Sequence, residues 1–337
     1  MSENFQHIQS AHCETGVIST LYKDKGVTIS EPIALGIGSG LLFFYAPFVK
    51  VMGNPLVSYR SFPGTIFKKC GKRLGVDFKL EKFREPQRGE DRLNELLSKG
   101  NRVGIQTNIY WLPYIPEKFR FHFNAHNLVV LEKQGENYIV SDPVVESLEI
   151  CESRPLRKAR FSKGPLGPKG LVYYINETPQ SLDWEVAIRK GIKETVRTML
   201  YSPVPIVGVR AIRKLAKDIA KWPNQMGEEK ARLVLASVVR MQEEIGTGGA
   251  GFRYMYAGFL SEAGKLIGNS TLTELSSEME KVADSWRDFA ILAVGVCKSR
   301  NLSSFEEVSK KLLSIADQES QFYKALNLRF IKSAKHN

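Results

Sequence analysis

The spacing of hydrophobic residues changes near residue 180 of this 337-residue chain. Before that point, short apolar runs of strand length alternate with segments of helical spacing, and after it the helical spacing continues almost without interruption. The second part predicts six helices, at residues 183–200, 208–221, 227–245, 252–267, 271–297 and 303–327, with breaks at Pro203, Pro205, Trp222-Pro223 and Asn301. We therefore predict an α+β protein with a mixed domain at residues 1–178 and an all-helical domain at residues 179–337.

The clearest element of the first domain is a β-hairpin. Two apolar runs, residues 127–133 and 136–143, flank Gln134-Gly135, which predicts a tight turn between antiparallel strands. The same spacing rules predict two more strands at 103–111 and 171–175. They also predict a helix that has Cys13 in its first turn and ends before Gly26, and helices from Thr65 and Glu90 that end before Gly75 and Gly100.

The positive charge of the chain is concentrated in its second part. Residues 1–150 contain 18 Lys and Arg against 16 Asp and Glu, whereas residues 151–337 contain 30 against 20. Half of the second excess lies in residues 151–170, where abundant Gly and Pro predict a loop between strands or domains. This charge suits an anionic partner or serves solubility alone. Because no nucleic-acid-binding motif accompanies it, we expect no nucleic-acid partner.

The cysteines and apolar runs predict a cytoplasmic protein without membrane contact. The longest apolar run, residues 41–49, is of strand length and is interrupted by Pro47, and the N-terminus has no secretory signal pattern. The four cysteines lie far apart and form no C-x-x-C pair: Cys13, Cys70, Cys151 and Cys297. This spacing predicts free thiols in a reducing compartment and neither a disulfide framework nor a metal site.

Cys13 is the first candidate for chemistry. It lies at the predicted first turn of a helix, with Ser10 as the expected N-cap and an apolar face behind it at Val17, Ile18 and Leu21. The positive end of the helix dipole and the unpaired N–H groups of the first turn favour the thiolate, which is the nucleophilic form. The alternative is a buried cysteine that acts only as a small hydrophobe.

His126 and Asp142 lie at the open end of the predicted hairpin. Counting from the turn at Gln134-Gly135 places them opposite each other within about one residue, close enough for a hydrogen bond. A carboxylate there would set the tautomer of the imidazole, and the imidazole would pair with a thiolate at a helix N-terminus. A loop histidine and an Asp-Pro turn are the structural alternatives.

Several motifs together resemble the N-terminal domain family of butirosin biosynthesis protein H, which is a distant relative of papain-like cysteine peptidases. The resemblance covers residues 8–150, and the C-terminal half resembles the uncharacterised domain that often follows. It is carried by His12-Cys13-Glu14-Thr15-Gly16, Ser30-Glu31, Gly36–Leu41, Phe43-Phe44-Tyr45, Asn108, Leu112-Pro113-Tyr114, His126, Asp142-Pro143 and Glu244–Tyr256.

The resemblance implies an acyltransferase of secondary metabolism, of the kind that serves antibiotic biosynthesis. Its catalytic residues would be Cys13, His126 and Asp142, and it would move an aminoacyl group from the phosphopantetheine thioester of an acyl carrier protein to a small-molecule amine. The backbone N–H of Cys13 is one candidate oxyanion donor, and Gln6 and Gln9 leave the side-chain donor open. Further substrate contacts are expected at His12, Glu14, Asn108, Tyr110 and Tyr114.

Contacts to the phosphopantetheine arm or its carrier are expected at two basic or glycine-rich places. One is the loop Gly248-Gly249 with Arg253, whose alternative reading is a turn between helices, and the other is the basic segment 154–170. No cofactor is expected to be bound by the chain itself, and a homodimer is a compatible oligomeric state.

Two other functions stay open on sequence grounds. The first is a cysteine hydrolase, a peptidase or amidase with water as the acceptor, and the second is a non-catalytic binding module on the same fold. Acylated enzyme whose breakdown depends on added amine would favour the transferase, and selective alkylation of Cys13 would argue against the binding module.

Overall fold

A computed structural model describes residues 5–51, 53–298 and 304–333 of the chain. The helices are α1 (Cys13–Asp24), α2 (Glu31–Ile37), α3 (Thr65–Leu74), α4 (Pro86–Ser98), α5 (Ser153–Arg160), α6 (Trp184–Tyr201), α7 (Gly208–Met226), α8 (Glu228–Glu243), α9 (Arg253–Leu266), α10 (Ser270–Cys297) and α11 (Phe305–Leu326). The strands are β1 (Leu41–Val51), β2 (Asn54–Arg60), β3 (Asp77–Glu81), β4 (Val103–Thr107), β5 (His126–Gln134), β6 (Asn137–Ser141), β7 (Glu149–Glu152) and β8 (Val172–Glu177).

Two compact units divide these elements. The first combines the residues up to Ala34 with residues 66–182, and the second combines residues 35–65 with the residues from Asp183 onward. The α+β class is therefore confirmed. The difference from a single boundary after residue 178 is that residues 35–65, including the β1–β2 hairpin, belong to the helical unit.

The first unit is built on one antiparallel sheet of six strands in the order β3-β8-β4-β5-β6-β7. Successive residues of a strand face opposite sides of the sheet. Val172 of β8 accordingly lies in a core cluster with Leu93 and Leu96 of α4, while its neighbour Tyr173 stacks on Phe67 of α3 with ring centroids 4.6 Å apart. Helices thus cover both faces, and the ends of β5 and β6 carry the site residues.

In the helical unit, aromatic side chains connect the helices to the β1–β2 hairpin. Trp286 of α10 contacts Phe43 of β1 and Tyr59 of β2, with ring centroids 5.8 and 5.6 Å apart. The hydroxyl of Tyr45 donates to Asp218 of α7 at 2.9 Å. These contacts explain why the hairpin belongs with the helices and not with the sheet. Among the described residues, no helix has the length and apolar character that crossing a bilayer requires.

Three local predictions differ from the structure. The strand predicted at 103–111 ends at Thr107, because the side chain of Asn108 accepts from the N–H of Tyr110 and starts a 3₁₀ turn. The basic segment predicted as a loop contains α5, whose Leu156 and Ala159 are buried. Helix α7 continues through Pro223 and ends at Met226, before the C-cap residue Gly227, where φ is +81°. The break expected at Asn301 lies outside the described residues.

Candidate active site

Cys13 is the first residue of α1 and therefore lies in the first turn of the helix, as predicted. The N-cap is His12 and not Ser10, because the Nδ1 atom of His12 accepts from the N–H of Thr15 at 3.4 Å. The expected end at Gly26 is confirmed by its φ of +76°. The thiol therefore lies at the positive end of a twelve-residue helix, where a negative charge is stabilised.

The carboxylate of Glu31 holds the backbone that leads into Cys13. Its Oε2 atom accepts from the N–H of Ala11 at 2.9 Å, and its Oε1 atom accepts from the N–H of His12 at 3.0 Å and from the hydroxyl of Thr15 at 2.9 Å. Three donors converge on one carboxylate, which orders the turn before the helix. The sequence pattern assigned no role to Glu31.

The segment before α1 is also held against the end of β6. The N–H of Ser10 donates to the carbonyl of Pro143 at 2.7 Å, and the ring of His7 contacts the hydroxyl of Ser141 at 2.8 Å. A Cβ atom on Gly16 would come within 2.7 Å of the Cβ atoms of Pro143 and Ser10. A glycine at this position lets α1 approach the end of the strand, which brings the thiol near the hairpin.

His126 and Asp142 form a buried hydrogen-bonded pair. The Nε2 atom of His126 lies 2.7 Å from Oδ2 of Asp142, and the two side chains are 3% and 0% exposed. An ionised carboxylate can only accept, so Nε2 carries the proton and Nδ1 is the nitrogen available to the thiol.

The two residues meet diagonally across the hairpin and not directly opposite each other. Val129 pairs with Ser141, but an irregularity between Val130 and Glu132 shifts the strands by one residue. Asp142 directly follows Ser141, the partner of Val129, whereas His126 lies three residues before Val129 on the other strand. Diagonal neighbours remain within reach of a long side chain, and the predicted contact forms even though its predicted register is wrong by about one residue.

The hydroxyl of Tyr114 completes the surroundings of Asp142. It donates to the same Oδ2 atom at 2.9 Å, while Oδ1 accepts from the N–H of Val144 at 3.2 Å. Tyr114, predicted to contact substrate, instead touches the carboxylate behind His126. Burial, followed by the charge of Asp142, raises the pKa of Tyr114 well above its usual range, so it remains a donor.

The environment of His126 favours the charged imidazolium. Burial is the largest single influence and lowers its pKa, but the charge of Asp142, the hydrogen bond to Asp142, and a hydrogen bond and charge interaction with Cys13 together raise the pKa above its ordinary value. The sulfur of Cys13 also contacts both neighbours of His126 in the chain, at 4.0 Å from the carbonyl oxygen of Ala125 and 3.9 Å from Nδ2 of Asn127. The arrangement can hold a thiolate next to an imidazolium, the charge pair that cysteine nucleophiles use.

The sulfur of Cys13 has a second polar neighbour in Asn127. The Nδ2 atom of Asn127 lies 3.9 Å from Sγ and donates to the carbonyl of Ala125 at 3.0 Å, while its Oδ1 atom accepts from the hydroxyl of Tyr173 at 3.0 Å. A carbonyl can only accept, so the amide orientation is set and an N–H group faces the sulfur. Nothing in the sequence pattern singled out Asn127, since its meaning depends on which strand faces α1.

The other cysteines differ from Cys13 in their surroundings. Burial raises the pKa of Cys70 and of Cys151 to about 12, and burial also raises the pKa of Cys297. These three thiols therefore stay protonated near neutral pH. An alkylating reagent at neutral pH consequently tests Cys13 selectively.

Two predicted substrate contacts next to Cys13 have structural roles instead. His12 is the N-cap of α1 and is 4% exposed. Glu14 is fully buried, and its Oε1 atom accepts from the N–H of Ile66 in the first turn of α3 at 3.1 Å. Both side chains are turned into the fold, so the prediction that they touch substrate is not supported.

Asn108 lines a cavity of about 420 Å³ that is open to solvent, and Tyr110 contacts one of the other lining residues. That residue is His122, on whose ring Tyr110 stacks with ring centroids 4.1 Å apart. The amide of Asn108 donates to Asn124 at 2.8 Å, two residues before His126. The cavity is lined by Asn108, Trp111, His122, Lys158, Phe161, Ser162 and Lys163.

The glycine loop before α9 does not form the predicted phosphate site. The N–H of Gly249 donates to the hydroxyl of Thr247, and the N–H of Ala250 donates to the carboxylate of Glu243, so an acidic side chain already occupies the loop. Arg253 is fully buried and pairs with Glu319 at 2.8 Å. Gly248 and Gly249 adopt φ of +67° and +88° as parts of a turn between helices, which was the alternative interpretation.

Comparison with known proteins identifies two adjoining families. The sequence profile described as butirosin biosynthesis protein H, N-terminal, matches residues 12–143, and the profile described as a domain of unknown function, DUF4872, matches residues 154–326. No curated protein matches the chain significantly. A crystal structure from Bacillus anthracis, described as a candidate C39-like peptidase, is 16% identical over 53% of this chain and 98% of its own, with a TM-score of 0.38.

Proposed function

Because the chain belongs to the family that joins the N-terminal domain of butirosin biosynthesis protein H to DUF4872, we propose that it is a cysteine acyltransferase. It moves an acyl or aminoacyl group from a carrier-protein thioester to the amine of a small molecule. The nucleophile is Cys13, the acid and base is His126, and Asp142 orients the imidazole. The observation that carries the proposal is a thiol at a helix N-terminus that contacts both neighbours of His126, whose imidazole is hydrogen-bonded to a buried carboxylate.

The first half-reaction forms an acyl-enzyme. The Cys13 thiolate attacks the thioester carbonyl, and the tetrahedral intermediate collapses with cleavage of the bond to the carrier's sulfur. The imidazolium of His126 gives its proton to that departing sulfur. The products are a Cys13 thioester, a free carrier thiol and a neutral imidazole.

The second half-reaction transfers the acyl group to the amine. Neutral His126 takes a proton from the amine as its nitrogen attacks the acyl carbonyl, and the Cys13 thiolate leaves. The amide product and the thiolate–imidazolium pair result, so protons balance over the cycle. Asp142 keeps the proton of Nε2 in place throughout and leaves Nδ1 to exchange protons with substrate.

Two groups near the sulfur support the negative charge in this scheme. The first turn of α1 presents backbone N–H groups at its positive end, where an oxyanion would be stabilised. Asn127 directs an amide N–H at the sulfur from 3.9 Å. We assign to Asn127 the stabilisation of the thiolate before attack and after release. Gln6 is exposed and its Oε1 atom accepts from Lys23, so it does not serve this purpose here.

The proposal extends to the setting of the reaction. The donor is an acyl thioester on the phosphopantetheine arm of an acidic carrier protein, in the cytoplasm and in secondary metabolism. The net charge of +12 favours docking of an acidic carrier. The same charge disfavours a polycationic acceptor, so the acceptor is an amine of low positive charge.

Intact-protein mass spectrometry tests the proposal. The purified chain is incubated with acyl carrier proteins loaded with different acyl groups, and with the N-acetylcysteamine thioesters of the same groups. We expect a mass increase equal to the acyl group, absent in Cys13→Ala but present in Cys297→Ala. Loss of the adduct on addition of amines with formation of amide supports transfer. Loss at the same rate without amine identifies a hydrolase, and absence of any adduct contradicts acyl transfer.

Replacing Asn127 with aspartate is expected to make Cys13 harder to ionise. The new carboxylate retains the contact with Tyr173 but places negative charge where an N–H group faced the sulfur, and a nearby like charge disfavours the thiolate. We expect the midpoint of the pH dependence of iodoacetamide alkylation to rise by about one pH unit or more.

Asn101→Asp is the matched control for this measurement. Its amide donates to the carbonyl of Leu96 at 3.2 Å. It precedes β4 at Val103, the end of that strand opposite to Thr107, which pairs with His126. The same change there should leave the alkylation midpoint where it is. An unchanged midpoint in Asn127→Asp would remove Asn127 from the mechanism.

A further inference from the structure

The cavity that contains Asn108 combines positive charge with aromatic walls. Trp111 and Phe161 line it together with Lys158, Lys163 and His122, and no acidic residue lines it. Phosphate is bound by such ammonium donors, while the aromatic rings suit a hydrocarbon group attached to the phosphate. The lining therefore matches an organic anion better than a neutral or cationic ligand.

The two lysines are available to a ligand. Within the part of the chain that the structure describes, neither Lys158 nor Lys163 is paired with a carboxylate; the ammonium of Lys158 lies 4.9 Å from the ring of Trp111. Residues 154–170 contain six Lys and Arg and neither Asp nor Glu. Two ammonium groups with no acidic residue in the same segment create a positive potential that attracts an anionic phosphate ester, including the singly charged phosphodiester of a carrier-bound pantetheine arm.

The cavity is joined to the candidate nucleophile by one short segment. Asn108 lines the cavity and bonds to Asn124, whose own amide donates to the carbonyl of Lys163 at 3.2 Å. The next residue, Ala125, has its carbonyl 4.0 Å from the sulfur of Cys13, and His126 follows. One short buried segment, residues 124–126, therefore contacts the cavity lining at one end and the candidate nucleophile at the other.

We propose that this cavity is the subsite for the phosphate and adjoining hydrocarbon of the acyl donor's pantetheine arm, with Lys158 and Lys163 binding the phosphate. This inference rests on the proposed function for the identity of the donor, but the anion preference comes from the cavity itself. It replaces the glycine loop at Gly248-Gly249 as the place where the phosphate binds.

Binding of pantetheine 4′-phosphate and of pantetheine, which differ only in the phosphate, tests the subsite. Titration calorimetry is carried out with the full chain carrying Cys13→Ala, so that Cys13 forms no mixed disulfide with the thiol of the ligand. We expect the phosphate form to bind about tenfold or more tightly, with a preference that weakens as salt is added. Lys158→Gln/Lys163→Gln should abolish this preference, whereas Lys169→Gln, on the same segment but outside the cavity lining, should retain it.

The outcomes separate this inference from the proposed function. Equal binding of the two compounds, or a preference that survives in the double lysine variant, overturns the subsite. Acylation of Cys13 by an N-acetylcysteamine thioester, which has no phosphate, would still support the transferase in that case. Conversely, a phosphate preference that depends on the lysines without any acyl-enzyme would keep the anion subsite and reject the transferase.

Discussion

Asp142→Asn is expected to slow acyl transfer through Cys13 by about 10²–10⁴-fold, because the asparagine carries no charge and no longer sets the tautomer of His126. The substitution preserves size, and its Oδ1 atom can still accept from the N–H of Val144. The loss should therefore appear in the rate of acyl-enzyme formation and not in the amount of folded protein.

The pH dependence gives a second readout of the same variant. In the native chain, the charge and hydrogen bond of Asp142 raise the pKa of His126 against the lowering effect of burial. The imidazolium therefore persists above the ordinary titration range near pH 6.5. Without Asp142 the burial effect dominates, the pKa falls, and the imidazolium is lost at a lower pH. We expect alkylation of Cys13 at neutral pH to slow and to recover only at alkaline pH, where the thiol ionises without a partner.

Tyr114→Phe is the matched control for Asp142→Asn. It removes one hydrogen bond to Oδ2 but keeps the ring and the carboxylate. We expect a loss of rate of about tenfold or less, since the negative charge of Asp142 and its hydrogen bond to Nε2 of His126 both remain. A native pH profile in Asp142→Asn would show that this carboxylate does not act on His126.

Arg253→Met is expected to destabilise the helical unit by about 3–5 kcal/mol. Arg253 and Glu319 are both fully buried, and Oε1 of Glu319 also accepts from the indole N–H of Trp286 at 2.7 Å. Removing the guanidinium leaves a buried carboxylate without its counter-charge. The helix signal in chemical denaturation, measured by far-ultraviolet circular dichroism, should show an earlier transition.

Two further variants distinguish a buried charge effect from a loss of packing. Arg253→Met/Glu319→Met removes both charges and should be more stable than Arg253→Met alone, because an apolar pair of similar volume replaces the ion pair. Arg287→Met breaks a pair between the exposed side chain of Arg287 and Glu243, which keeps its hydrogen bond from the N–H of Ala250, and should cost less than about 1 kcal/mol. A double variant as unstable as the single one would assign the loss to packing.

The local elements of this protein follow from short-range patterns. The helix that begins at Cys13, the hairpin around Gln134-Gly135 and the six helices after residue 180 are confirmed, because each depends on the period of apolar residues and on turn residues within the same stretch. The contact between His126 and Asp142 can be predicted from sequence for the same reason, since a tight hairpin brings its two ends together whatever the rest of the chain does.

Contacts between distant segments are harder to predict from sequence. The charge of Arg253 and the glycines before it suggest a phosphate-binding loop. In the structure Arg253 is buried and donates to Glu319, which lies sixty-six residues further along the chain. Glu31 accepts from the backbone of the turn before Cys13, and Asn127 contacts the sulfur itself. Both lie in other elements, and neither residue type is unusual at its own position. The basic segment 154–170 was correctly singled out for charge, while its helix α5 was missed because basic residues and Pro155 conceal the apolar positions.

The amino-acid sequence by itself determined the α+β class, the change from mixed to helical structure and the identity of three candidate reactive side chains. Only the tertiary structure decided which residues surround the sulfur, which charged groups are buried and where a cavity opens beside the hairpin. The physical reason is range: helices, strands and turns depend on neighbours a few residues away, whereas a site depends on side chains that packing brings together from far apart in the chain.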